Sequence, residues 1–465
     1  LITLYLVPAV FVVFERVRAS RAPAALRRPA VATAALLLAA LALPTALAAQ
    51  QGGQVPVVTL QEARRRAAQV DPAVVEARAG VSAAAWERRS AVADLLTPNV
   101  RATTSYVKLS DPFFNFGTGN ISSSATSATL EASYTLLGAG KIWELRRAGA
   151  AVASAEATEA AVKYRTALAT DAAYYAVLAE TELARVAADR LNRATDQLGV
   201  ARVRVQAGET IATDSLQLLL EVNRARLEVL RRDSALVVSR LALGRQIGLS
   251  GPADAAPLDT APPRALPVTL EEAGAELRAR GPELEAARAA ERRAGAALTT
   301  EREGYLPDVT LSATAGAYDS EFFPSALKRS QLALTVSLPI WDGGRREVAV
   351  ARARAQRDVA RAVREERERA AAEEMARAYN GYETARAGIE LALSGVSVSA
   401  ETFRVQRARY REGATTILDL LEAQVALGEA EATLVQARYA ARLALAQIEA
   451  LLGRRLFTSS EVEGT

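Results

Sequence analysis

The sequence predicts a mainly α-helical protein with a small β part, built from one helix–strand–strand–helix unit present twice. Three observations carry this. Helix-start and turn motifs recur at a nearly constant offset: Thr59-Leu-Gln-Glu62-Ala and Thr269-Leu-Glu-Glu272-Ala lie 210 residues apart, and Gly208 and Gly413 lie 205 apart. Residues 141–251 and 342–465 hold no proline, which permits helices much longer than those of an ordinary globular domain. Between them, four segments change from helical to period-two patterning.

The N-terminus holds two separate pieces. Residues 27–48 combine Arg27 and Arg28, an apolar run of about a dozen residues and the small-residue site Ala46-Leu-Ala48, and read as a secretory signal. Residues 1–26 form an apolar leader that begins without Met. Within it, Thr3-Leu-Tyr-Leu-Val-Pro8 and Glu15-Arg16 resemble the end of the last transmembrane helix of resistance–nodulation–division (RND) pumps. This piece is expected to come from a neighbouring pump reading frame, or to be a chance apolar leader, and to stand outside the fold.

The two units are expected at 57–250 and 268–456, with 251–267 as a Pro/Ala/Asp linker and 457–465 as a tail. Each opens with a capping box, in which the Thr hydroxyl and the Glu three residues on satisfy the first free amides of a helix. Thirteen residues after each Thr comes a proline at the start of a new helix, Pro72 after Asp71 and Pro282 after Gly281. Pro98 and Pro307 then end that helix.

Strands follow at about 99–109, 128–137, 308–318 and 331–341. The clearest alternation sets Val309, Leu311, Ala313 and Ala315 against Thr310, Ser312, Thr314 and Gly316; the segment from Asn99 is the least regular. Pro339 has no amide for a ladder and belongs at a strand end. Tyr106, Phe113, Phe114, Phe116, Tyr305, Phe322, Phe323 and Trp341 cluster with these segments. That is the girdle expected of an outer-membrane barrel, with hairpins on a soluble core as the alternative. The remainder is helix. Met375, Tyr379, Tyr382, Ile389, Leu393, Val396, Ala400, Phe403 and Tyr410 trace a coiled-coil seam, with Arg386 and Arg407 as exceptions.

Composition removes several functions. The chain has no Cys and no His, so no zinc-type site and no Cys- or His-based nucleophile pair exists, and no other catalytic constellation or phosphate loop stands out. Five of the 57 basic residues and one of the 53 acidic ones lie in 1–48, so the rest is charge-balanced and not a nucleic-acid binder. No cofactor or metal is expected.

Four strands cannot close a membrane barrel, because the smallest have about eight. Open edges in lipid would leave backbone groups unpaired, so the chain must oligomerise. Three copies give twelve strands; two copies remain arithmetically possible.

Taken together, the duplicated openings, the Pro-restarted helices, the paired strands and Gly413-Ala-Thr-Thr-Ile-Leu-Asp-Leu-Leu-Glu-Ala423 resemble the TolC family of outer-membrane efflux channels, over residues 57–456. The resemblance implies a homotrimer in the outer membrane, with a twelve-stranded β-barrel continued by a periplasmic α-helical barrel. It implies a periplasmic adaptor and an inner-membrane pump as partners. An RND pump, and so small-molecule efflux, is favoured by residues 1–18; type I protein secretion through an ABC transporter is the alternative. A structural periplasmic coiled-coil protein is the reading from another class.

The resemblance also implies a site. Tyr410 matches the family's tip tyrosine, Asp214 its acidic partner in the first copy, and Asp419 and Glu422 the acidic rings at the periplasmic aperture. Gly208, Thr210, Gly413 and Thr416 mark the turns that would meet the adaptor. Thr415 stands where the best-known member has an arginine, which implies a latch with fewer charged contacts. Asp214 and Asp419 also stand at helix starts, where a carboxylate complements the helix dipole.

Overall fold

The computed structural model describes residues 55–115, 119–138, 141–258, 263–321 and 327–457. The leader at 1–26, the signal at 27–48, Phe116, Phe322, Phe323 and all but the first residue of the tail lie outside them.

The first unit runs β1 (Val57–Val58), α1 (Leu60–Val70), α2 (Pro72–Leu96), β2 (Asn99–Asn115), β3 (Asn120–Leu137), α3 (Lys141–Gln206) and α4 (Ala212–Gln246). The second runs β4 (Asp254–Ala255), α5 (Leu270–Arg280), α6 (Pro282–Glu303), β5 (Asp308–Asp319), β6 (Leu327–Ser337), α7 (Arg345–Arg411) and α8 (Ile417–Leu452). At 66 and 67 residues, α3 and α7 are each roughly 100 Å long. Among the described residues, no helix is long and apolar enough to cross a membrane.

Local chemistry explains the helix starts, with one correction. Thr269 and Glu272 form the full capping box. At the other opening Thr59 accepts from the Glu62 amide, but the Glu62 carboxylate turns away to Arg65 and Arg66, at 2.7 and 2.6 Å. Two guanidiniums on its own helix outcompete a single backbone amide. Asp71 caps α2 by accepting from the Ala73 amide at 2.9 Å. The stretch expected as a linker carries β4, which pairs in parallel with β1. Over this small ladder packs a core of Val58, Tyr174, Val177, Leu243 and Ile247. At the far end of α8, a Cβ on Gly453 would come within 2.7 Å of Pro282, so α8 ends directly against the start of α6; Gly248 meets Val70 in the same way at the end of α4.

The four long strands form one antiparallel sheet in the order β2-β3-β5-β6. β2 and β3 extend well beyond the expected 99–109 and 128–137, because small polar residues such as Ser122–Ser124 and a bulge between Lys108 and Phe113 interrupt the alternation without breaking the ladder. β6 begins earlier than 331 and ends at Ser337, two residues before Pro339, which cannot donate to a ladder. The register gives the sheet two chemically distinct faces. The row Val100, Ala132, Ala313, Leu332 and the row Tyr134, Leu311, Leu334 lie on one; Arg101, Glu131, Thr314, Gln331 lie on the other. Leu332, Leu334 and Val336 are 73, 63 and 64% exposed, so the apolar face has no cover among the described residues.

On α7 the buried positions include Met375, Tyr382, Ile389, Phe403 and Tyr410, a heptad repeat. The second seam position falls on Ala371, Ala378 and Ala392, while Leu393 is 44% exposed and Ala400 is also exposed. Only this second position lies one residue earlier than expected, which takes Arg386 and Arg407 out of the seam; Met375, Tyr382, Ile389, Phe403 and Tyr410 stand where expected. Alanine lets helices approach closely, whereas hydropathy alone favours the adjacent leucine. Near the helix turns, Leu198, Leu218, Phe403, Tyr410, Leu420 and Leu427 join α3, α4, α7 and α8 in one core.

Candidate functional site

The α3–α4 and α7–α8 turns are built alike. After α3, the Gly208 amide donates to Val205 O at 3.1 Å and the Glu209 amide to Arg204 O at 2.9 Å; after α7, Gly413 donates to Tyr410 O at 3.2 Å and Ala414 to Arg409 O at 2.8 Å. These are Schellman closures, which require a left-handed residue. Gly208 and Gly413 supply it with φ of 76° and 71°.

Each turn then places a threonine hydroxyl on a carboxylate four residues later. Thr210 donates to Asp214 Oδ2 at 2.6 Å, and Thr415 to Asp419 Oδ2 at 2.8 Å. From there the copies diverge at one position. The second has Thr416 at the helix cap, and a full capping box consumes Asp419: its Oδ2 accepts from the Thr416 amide at 3.0 Å and the Thr416 hydroxyl at 2.6 Å. The first has Ile211 there, with no side-chain cap, and Asp214 instead accepts from the Tyr410 phenol at 3.3 Å.

Arg204 completes the link between the hairpins. Its guanidinium donates to the Tyr410 carbonyl, lies 5.3 Å from the centre of the Tyr410 ring, and pairs with Glu209 at 3.3 Å. Burial, reinforced by the Asp214 carboxylate, pushes the Tyr410 phenol up to about 12. Hydrogen bonds from the Thr416 and Thr415 hydroxyls hold the Asp419 carboxyl below its ordinary range.

All nine expected residues therefore sit on the two turns or within about two helical turns of them, in two groups. Thr210, Asp214 and Tyr410 come together across the repeats. Thr415, Thr416 and Asp419 form a local cluster within one turn, and Glu422 lies exposed one helical turn further on. Arg204 is the residue that sequence reasoning missed. Its signal was present, since Arg204 and Arg409 are related by the same offset as Gly208 and Gly413. A cation thus does join the hairpins, from α3 rather than from position 415. Among the described residues, no group of His, Cys, Asp or Glu could hold a metal ion. At the turns the link is a few hydrogen bonds, each contributing about 1 kcal/mol, laid beside the apolar core that joins the four helices.

Comparison with known proteins matches this architecture. The family model for "Outer membrane efflux protein" matches twice, over residues 63–249 and 274–454. The outer membrane protein OprJ of Pseudomonas aeruginosa is 28% identical over 282 residues, which take in 59% of this chain and 58% of that protein. Among solved structures, the CmeC outer membrane channel of Campylobacter jejuni superposes with a TM-score of 0.74 at 15% identity, covering 85% of each chain. The outer membrane protein VceC of Vibrio cholerae gives 0.71 at 21% identity, covering 86% of this chain and 97% of its own.

Proposed function

The chain belongs to the outer membrane efflux protein family, and from that premise we propose that three copies form the exit duct of a tripartite efflux system, with the α3–α4 and α7–α8 turns as its periplasmic aperture. It is an outer-membrane protein of the TolC type. The observation that carries the proposal is the four-stranded sheet. It is apolar on one face and polar on the other, and β2 and β6 each pair along one edge only. In lipid such edges must be closed by further strands. Three copies supply twelve, and each brings four long helices to continue the wall below the sheet. Exposed apolar side chains on the outer helices, Leu216, Leu220, Leu230 and Val238 of α4 and Leu391, Val398 and Val405 of α7, supply the surfaces by which neighbouring copies pack.

In the assembled duct Asp419 and Glu422 become rings of three, which constrict the aperture and attract cations. The turns at Gly208, Thr210, Gly413 and Thr416 meet a periplasmic adaptor. The duct is passive and holds no catalytic group; an inner-membrane RND pump loads it with small molecules. The resemblance of residues 1–18 to the end of such a pump supports that pairing. Native mass spectrometry of the detergent-extracted protein is the test. A three-chain species supports the duct, and a monomer stable without detergent overturns it.

A further inference from the structure

The polar face of the sheet carries a charge pattern that the aperture does not explain. Its rows can be read from the register. Arg101 stands opposite Glu131, followed by Thr314 and Gln331, so that row is neutral. The next row towards the hairpin loops is Thr103, Thr129, Gly316, Arg329, with one cation and no acid. Beyond it come Ser105, Ser127, Tyr318 and Leu327, again without a carboxylate. Lys328, the adjacent cation, falls on the opposite face by strand alternation. Gly316, the direct partner of Arg329, has no side chain, and the Tyr318 ring lies over it: a Cβ there would meet the phenol oxygen at 2.8 Å. The place beside Arg329 is therefore taken by the Tyr318 phenol, and Thr103 and Thr129 supply hydroxyls to the rest of the row.

We propose that Arg329 forms a ring of three inside the barrel, near the hairpin-loop end of the lumen, that attracts small anions and anionic solutes. The proposal rests on the trimeric-barrel reading, in which the polar face becomes the lumen. The duct would then carry two charged constrictions of opposite sign: carboxylates at the periplasmic aperture and guanidiniums towards the outer mouth. Cations drawn in at the aperture would meet an opposing field before release, and an acidic solute would be held at the outer end. Arg101 cannot play this part, because Glu131 beside it cancels its field.

The absence of cysteine from the chain makes a direct test possible. Thr129→Cys places one thiol in the same row, two strand spacings or about 10 Å from Arg329. In assembled protein at low salt, its modification rates by an anionic and a cationic membrane-impermeant thiosulfonate are compared. The expected anion-to-cation rate ratio falls about three-fold or more on Arg329→Gln and is unchanged on Lys328→Gln. If both reagents react but Arg329→Gln leaves the ratio unchanged, the arginine ring is refuted while the duct stands. If neither reagent reaches the thiol, the polar face is not the lumen, and the duct reading falls with it.

Discussion

The phenol of Tyr410 donates to Asp214 Oδ2 at 3.3 Å, tying the last turn of α7 to the first turn of α4 across 196 residues of sequence. The bond exists because the copies differ. Where the second unit caps its helix with Thr416 and consumes Asp419 locally, the first has Ile211 and leaves Asp214 free to reach the other hairpin. The contact between the two turns thus rests on an asymmetry within a duplication.

That bond has a pH signature. The Tyr410 phenol lies at about 12, above its ordinary value near 10. A group whose folded pKa is raised contributes stability that is complete below the unfolded value and lost as pH rises through the folded one. The contact is therefore expected to hold up to about pH 10 and to weaken between about 10 and 12. The difference in tyrosinate absorbance between the wild type and Tyr410→Phe, recorded during a pH titration, checks this. Ionisation of Tyr410 at pH 10 would contradict it.

Ile211→Thr is expected to recreate in the first unit the capping box of the second. Ile211 is 67% exposed, so little burial is lost. A cap of this kind stabilises a helix start by about 1 kcal/mol. The new hydroxyl also competes with Tyr410 for Asp214. The expected result is slower amide exchange at the start of α4 together with a looser contact at Tyr410, seen as faster tyrosine ring quenching. Slower exchange with an unchanged Tyr410 would mean that the two demands on Asp214 do not compete.

The parts of this molecule legible in its sequence are those set by local chemistry. Thr269 and Glu272, Asp71 before Pro72, and the glycines at 208 and 413 announce their conformations within a few residues. One of the two seam positions is hidden from hydropathy because alanine fills it: Ala392 is buried while the more hydrophobic Leu393 beside it is exposed. β2 and β3 were read short because a bulge and a serine-rich stretch hide a ladder that backbone pairing alone sustains. The repeat offset that relates Arg204 to Arg409 marks its position but not its role. Its partner is a backbone carbonyl in the other unit, and no spacing rule connects positions 206 residues apart. The pairing of Asp214 with Tyr410 came from family resemblance and could not have been deduced from either helix alone.

Asp171 is expected to be the most sensitive polar position away from the two turns. It is 3% exposed on α3 and accepts from Arg64 Nε at 2.5 Å, fastening α1 to the long helix. Asp171→Ala leaves a largely buried guanidinium without its partner, at a cost of about 3 kcal/mol. A lowered unfolding temperature of the extracted protein checks this, and Arg64→Met with Asp171→Leu should recover much of the loss. Equal stability of the single and double variants would show that the ion pair is not the source.

The two faces of β6 should tolerate charge differently. Leu334→Arg puts a cation on the exposed apolar face, where a mid-membrane position costs about 2–4 kcal/mol. Thr335→Arg, one residue away on the polar face, should assemble normally. The fraction of each variant recovered as folded, heat-modifiable protein in outer membranes decides the matter. If both fail or both succeed alike, the assignment of the faces is wrong.

The central claim is that contacts between the two turns hold the aperture closed, and single-channel conductance in a planar bilayer tests it most directly. Tyr410→Phe removes one hydrogen bond and Arg204→Ala a charged one, together weakening closure by about 2–3 kcal/mol. The expected result is a small wild-type conductance, a larger one or a greater open fraction in each variant, and the largest in the double variant. Asp419→Ala with Glu422→Ala should instead reduce cation selectivity. Channels of wild-type conductance and open fraction in the Tyr410→Phe, Arg204→Ala protein would show that these residues shape the tip but do not close it.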